Sequence, residues 1–148
     1  MTIRRLTIPF FVAVGLLLVA PLARAECFVL TAKAVMEPGD TELVFSGTVV
    51  DVIRHGDEGF WATFDVDRAW KGDVPTRIDL YVWLLYPEVP RFERGRHYVA
   101  LATRLTDERA RRAAGISSPG IIAFAPVPCS AYLEPDITRA LGAAHPPK

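Results

Sequence analysis

The sequence predicts a mainly β protein: a five-stranded barrel of the OB type with one or two short helices, following a cleaved signal peptide. Three observations predict it. The first 25 residues read as a secretory signal; the stretches after them are rich in β-branched and alternating apolar residues separated by turn chemistry; and a charged helical pattern falls late, before a last short strand. Five strands after an N-terminal segment, with a helix inserted late, favour a small barrel of the OB type.

The signal has its three parts in order. Arg4 and Arg5 form a basic start, Ile8 to Ala20 is an apolar run, and Pro21 breaks it before Ala23-Arg24-Ala25. Small residues at the minus-three and minus-one positions place the cut before Glu26. An uncleaved anchor is the alternative, because the uncharged stretch from Leu6 to Ala23 approaches the length that spans a bilayer. A lipoprotein is disfavoured: Glu26 stands directly before Cys27, where a lipobox has a small residue. The chain therefore divides into a signal at 1–25, one domain at 26–142 and a Pro-rich tail at 143–148, with a secreted or periplasmic destination.

Removal of 25 of the 148 residues leaves 123, enough for a single closed core. Arg4, Arg5 and Arg24 leave with the signal, so 14 basic face 17 acidic residues, a balance of −3. That argues against a general nucleic-acid binder, whose affinity rests on clustered positive charge. The chain has no Asn or Gln, so it offers no N-glycosylation acceptor and no side-chain amide for an active site. Its two cysteines, Cys27 and Cys129, read in an oxidising compartment as one disulfide, with two buried thiols as the alternative.

The strands follow from pattern. Leu43 to Ile53 (LVFSGTVVDVI) is apolar on both faces, and Gly47 within it marks a bulge or bend. His55 to Gly59 is a turn. Phe60 to Trp70 alternates cleanly, with Phe60, Ala62, Phe64 and Val66 on the core side and Thr63, Asp65 and Asp67 on the wet side. Continuing that alternation puts Trp70 on the core side, closing one end of the barrel. Lys71-Gly72-Asp73 turns the chain, and Ile78, Leu80, Val82 and Leu84 resume the apolar face. A fourth strand is expected over 96–104 and a last one over 121–127. Thr106 to Ala114 is a charged surface helix capped by Thr106 and stopped by Gly115, and 135–142 suggests a terminal helix.

Phe45-Ser-Gly-Thr-Val-Val50, then Ala69-Trp-Lys-Gly-Asp-Val74, Phe92-Glu-Arg-Gly-Arg-His-Tyr98 and Cys129-Ser130 occur in an order and spacing that resembles the bacterial netrin-like domains. These exported proteins are grouped with the tissue inhibitors of metalloproteinases. The resemblance runs from about Cys27 to Gly142. It implies an OB-like barrel pinned by a disulfide at its N-terminal segment, here Cys27 to Cys129, and it implies little about activity. Two departures weigh against the inhibitor role. In the animal inhibitors the mature chain begins with the cysteine whose free amine and carbonyl bind the protease's zinc, whereas here Glu26 precedes Cys27 and its nitrogen is an amide. Further cysteines common in the family are absent, with Val29 at one position and Leu84 to Arg91 across the other.

No catalytic constellation, cofactor motif or metal site is expected. His55, His97 and His145 form no pair at ligand spacing on one element, no serine lies in a nucleophile elbow, and Asp65 and Asp67 read as solvated or cross-strand paired. The candidate binding surface is aromatic: Trp61, Tyr81 and Trp83 lie opposite the inferred core, and Tyr86 follows in the apolar loop WLLYPEVPRF. Either these side chains form an exposed patch for a partner, or helices added to the barrel bury some of them. The expected function is non-catalytic binding of another protein or a small ligand in the cell envelope. A metalloprotease inhibitor and an envelope enzyme with an unrecognised site are the alternatives.

Overall fold

The computed structural model describes residues 29–85, 89–128 and 136–148. Five strands run β1 Leu43–His55, β2 Gly59–Lys71, β3 Arg77–Trp83, β4 His97–Arg104 and β5 Phe124–Pro126. Three short helices accompany them: α1 Ala32–Met36, α2 Glu108–Ala113 and α3 Ile137–Ala140. The strands close into a barrel in the order β1-β2-β3-β5-β4, with β5 parallel to β3 and every other pair antiparallel. This is the OB arrangement. Among the described residues no helix is long and apolar enough to cross a membrane.

The β1–β2 ladder slips three times. Asp67 and Trp70 on β2 and Val50 on β1 are each an extra residue opposite a continuous partner strand. Such bulges bend a strand and reset which face its side chains use. Gly47 sits at one slip, where a Cβ would lie 2.6 Å from the Asp65 carbonyl oxygen. The two strands approach too closely there for any side chain, in line with the bend expected at that glycine.

Inside the barrel, Phe45, Val49, Phe64, Leu80 and Val82 are fully enclosed. Phe45, Phe64, Phe92 and Tyr98 form an edge-to-face chain with successive ring centroids 5.5, 4.9 and 5.2 Å apart. That geometry sets positive ring edges on negative faces. Phe92 and Tyr98, from the Phe-Glu-Arg-Gly segment and the start of β4, thus complete the aromatic packing of the interior.

Trp70 itself is on the outside. The extra residue at Asp67 shifts the phase of β2, so Ala69 enters the interior and Trp70 joins Val35, Val44 and Leu101 in a separate cluster on the outer face. Unbroken alternation had placed it on the core side, and the bulge overturns that. The Trp-Lys-Gly-Asp segment instead fastens the periphery. The Trp70 indole donates to the Gly142 carbonyl at 3.1 Å, Lys71 donates to the carbonyls of Val35 and Glu37 at 3.2 and 2.7 Å, and Asp73 pairs with Lys148 at 2.6 Å. Lys71 thereby satisfies open carbonyls at the C-terminal end of α1.

Two further differences concern the ends. The helix α1, capped by Thr31, was not expected; its short Thr-Ala-Lys-Ala pattern is too brief to stand out beside the strands. The last six residues are not a free tail. His145 exchanges two backbone hydrogen bonds with Ala69, and Lys148 exchanges two with Val74 and Thr76, so the segment wedges between the diverging ends of β2 and β3. The cap of the late helix lies one residue after the expected one, because Leu105 still donates to Ala123 across the sheet and Asp107 takes the capping role, accepting from the Ala110 amide at 2.8 Å.

Candidate functional site

Trp61 and Tyr81 are direct partners across β2 and β3, and Trp83 pairs with Gly59 one step along the same face. The Trp61 and Tyr81 rings lie 5.2 Å apart at their centroids. Gly59 is the floor on which the phenol rests: a Cβ there would stand 2.4 Å from the Tyr81 hydroxyl oxygen. The side chains point away from the barrel interior, as their alternation requires, and form a cluster of their own.

They do not form an open patch. Tyr81 is fully buried, Trp83 is buried and Trp61 is half-buried, because the β4–β5 connection folds α2 across this face. Ala110, Ala114, Leu105 and Ala123 supply the cover. Of the two outcomes open to the sequence, burial by an added helix is the one found. Arg109 lies over the Trp83 ring, 5.7 Å from its centroid, and pairs with Glu58 of the β1–β2 turn at 3.8 Å. Among the described residues the Tyr81 hydroxyl has no hydrogen-bond partner. Burial, with the Glu58 charge beside it, pushes its pKa up, so it remains a neutral hydroxyl able to donate. Middle strands and the two loops flanking them are where OB barrels usually take ligands.

A second constellation lies on the opposite side and escaped the sequence reading. Ser46 on β1 donates to Asp67 at 2.7 Å, and His97 on β4 meets both oxygens of the same carboxylate at 3.3 Å. The bulge at Asp67 aims the carboxylate across the sheet at the other two. Burial raises the Asp67 pKa, but the Ser46 hydrogen bond and the His97 contact outweigh it, leaving the group below the ordinary carboxylate range. This is not a nucleophile relay. The carboxylate, not the imidazole, stands in the middle: His97 meets Asp67 rather than the Ser46 hydroxyl, the carboxylate that accepts the Ser46 proton is held less basic than usual, and Ser46 is 2 % exposed. The three side chains tie β1, β2 and β4 together. Asp65 is likewise cross-strand paired, accepting from Arg77 at 2.8 Å.

Among the described residues no group of three or more His, Cys, Asp or Glu side chains is arranged to hold a metal ion. Cys27, Cys129 and Tyr86 lie outside the described residues. Comparison of the chain with protein-family models, with curated proteins and with solved structures returns no match.

Proposed function

We propose that this protein is an exported, netrin-like OB barrel that binds a partner or small ligand in the cell envelope and carries out no chemistry of its own. The observation that supports it is the gathering of Trp61, Tyr81 and Trp83 on the usual ligand face of the barrel, around a buried hydroxyl with no partner among the described residues. Large flat side chains dominate recognition surfaces because each brings a large apolar area at low entropic cost. The Ser46–Asp67–His97 group is left to structure, since its hydroxyl is already committed to the carboxylate.

A pull-down from envelope extract with the mature domain tests this reading. The native protein is expected to retain a partner that Trp61→Ala, checked for folding by circular dichroism, does not. Equal capture by both proteins removes this face from the function.

A further inference from the structure

We propose that the Trp61–Tyr81–Trp83 face is a stacking site for a sugar ring, covered in this structure by a flap running from Thr106 to Ile122. The inference rests on the reading of this face as the binding face, and adds the ligand class and the device that controls access.

The flap is braced to itself. The Arg111 guanidinium donates to the carbonyls of Leu105, Ser118 and Ile121 at 3.1, 2.7 and 3.1 Å, and the Asp107 cap and the Ile116-to-Arg111 backbone bond complete the fold of the segment. Among the described residues, the hydrogen bonds of 106–122 are internal to the β4–β5 connection. What joins the flap to β2 and β3 is the Arg109–Glu58 pair, the Arg109–Trp83 contact and an apolar surface that α2 supplies mainly as alanine. A six-residue helix is too short to hold itself in water, so its order comes from Arg111 and from this seat. Such a body can lift from the barrel without breaking its own bonds, with its base at the Leu105–Ala123 pair.

The surface beneath has the chemistry of a sugar site. The C–H face of a pyranose is apolar and carries slight positive charge, which suits the negative face of an indole. Its rim of hydroxyls needs hydrogen bonds, and the Tyr81 hydroxyl, enclosed and unpaired among the described residues, has one to give. Glu58 stands beside the phenol as an acceptor once Arg109 moves off with the flap. A nucleic acid would offer rings as well, but its phosphates meet a mature chain with 17 acidic and 14 basic residues.

The test uses the mature protein with chitotetraose and cellotetraose as probes, followed by tryptophan fluorescence, alongside hydrogen exchange. The flap amides should exchange faster than those of β1, β2 and β4, and one or both tetrasaccharides should bind. Arg109→Ala should tighten apparent affinity roughly two- to fivefold, the population gain from losing the contacts of Arg109 with Trp83 and Glu58 on the closed side. Tyr81→Phe should weaken binding roughly three- to tenfold while leaving thermal stability unchanged or higher, since no folded-state hydrogen bond is lost. A flap that opens while neither sugar binds overturns the ligand class and leaves the face to a protein partner. Flap exchange only through unfolding of the whole barrel overturns the flap and the binding face together. Tyr81→Phe binding as tightly as the parent overturns the hydroxyl's role and the proposal with it.

Discussion

Replacement of Trp70 by alanine separates the observed fold from the one that unbroken alternation implies. Trp70 is 7 % exposed, so truncation gives up most of its buried surface. A buried Trp hides about 150–250 Å². At about 25 cal/mol per Å² that is worth roughly 4–6 kcal/mol against an extended chain. Allowing for the compactness of real unfolded chains brings the loss to about 3–5 kcal/mol, in the range found for emptying large aromatic sites. The Gly142 carbonyl that loses its indole donor is at an exposed residue, so water replaces the bond. Trp70→Phe, which keeps most of the apolar area, should recover all but about 1–2 kcal/mol. Denaturant unfolding measures both numbers, and hydrogen exchange locates the damage. Protection should fall first in α1, around Leu141 and in the 142–148 wedge, which pack on or bond to Trp70 and its neighbours, while the Phe45–Phe64–Phe92 interior holds. A loss under about 1 kcal/mol, or damage confined to the interior, would refute the placement of this side chain outside the barrel.

Three other outcomes are expected. Gly47→Ala should cost about 1–3 kcal/mol or more, because its Cβ would stand 2.6 Å from a backbone oxygen that no rotamer change can move, and equilibrium unfolding reads this directly. Asp67 has a folded-state pKa below its ordinary 3.8, so it contributes stability above that value and loses it as the pH falls through the lowered one; Ser46→Ala should raise the Asp67 pKa in an NMR titration and narrow the acid-stable range. The exported product should begin at Glu26 and be two hydrogens lighter than its reduced mass, since a Cys27–Cys129 bridge closing roughly a hundred residues removes about 4–5 kcal/mol of unfolded-state entropy; an N-terminus near Met1 or two free thiols in unreduced periplasmic material would contradict the processing and the bridge respectively.

The local grammar of this chain determined a good deal. Alternation over Phe60 to Val66 and over Ile78 to Val82, the turn residues at Gly56 and Gly72, and the glycine inside β1 are properties of neighbouring residues, so the strands, their core faces and the bend at Gly47 are legible in the sequence alone. The outward direction of Trp61, Tyr81 and Trp83 followed from the same period of two. Whether those rings met water or a helix did not, because burial depends on where the β4–β5 connection lands, and a segment about 25 residues further along carries no local mark of it. Trp70 failed for a related reason: the slip at Asp67 is a property of the β1–β2 pairing, and one extra residue sends every later side chain of the strand to the other face. Ser46, Asp67 and His97 are separated by 21 and 30 residues and meet only because β1 lies between β2 and β4. The docking of the last six residues rests on backbone hydrogen bonds, which any sequence can make and none announces; only the closed barrel, with β2 and β3 splayed at one end, created the gap they fill.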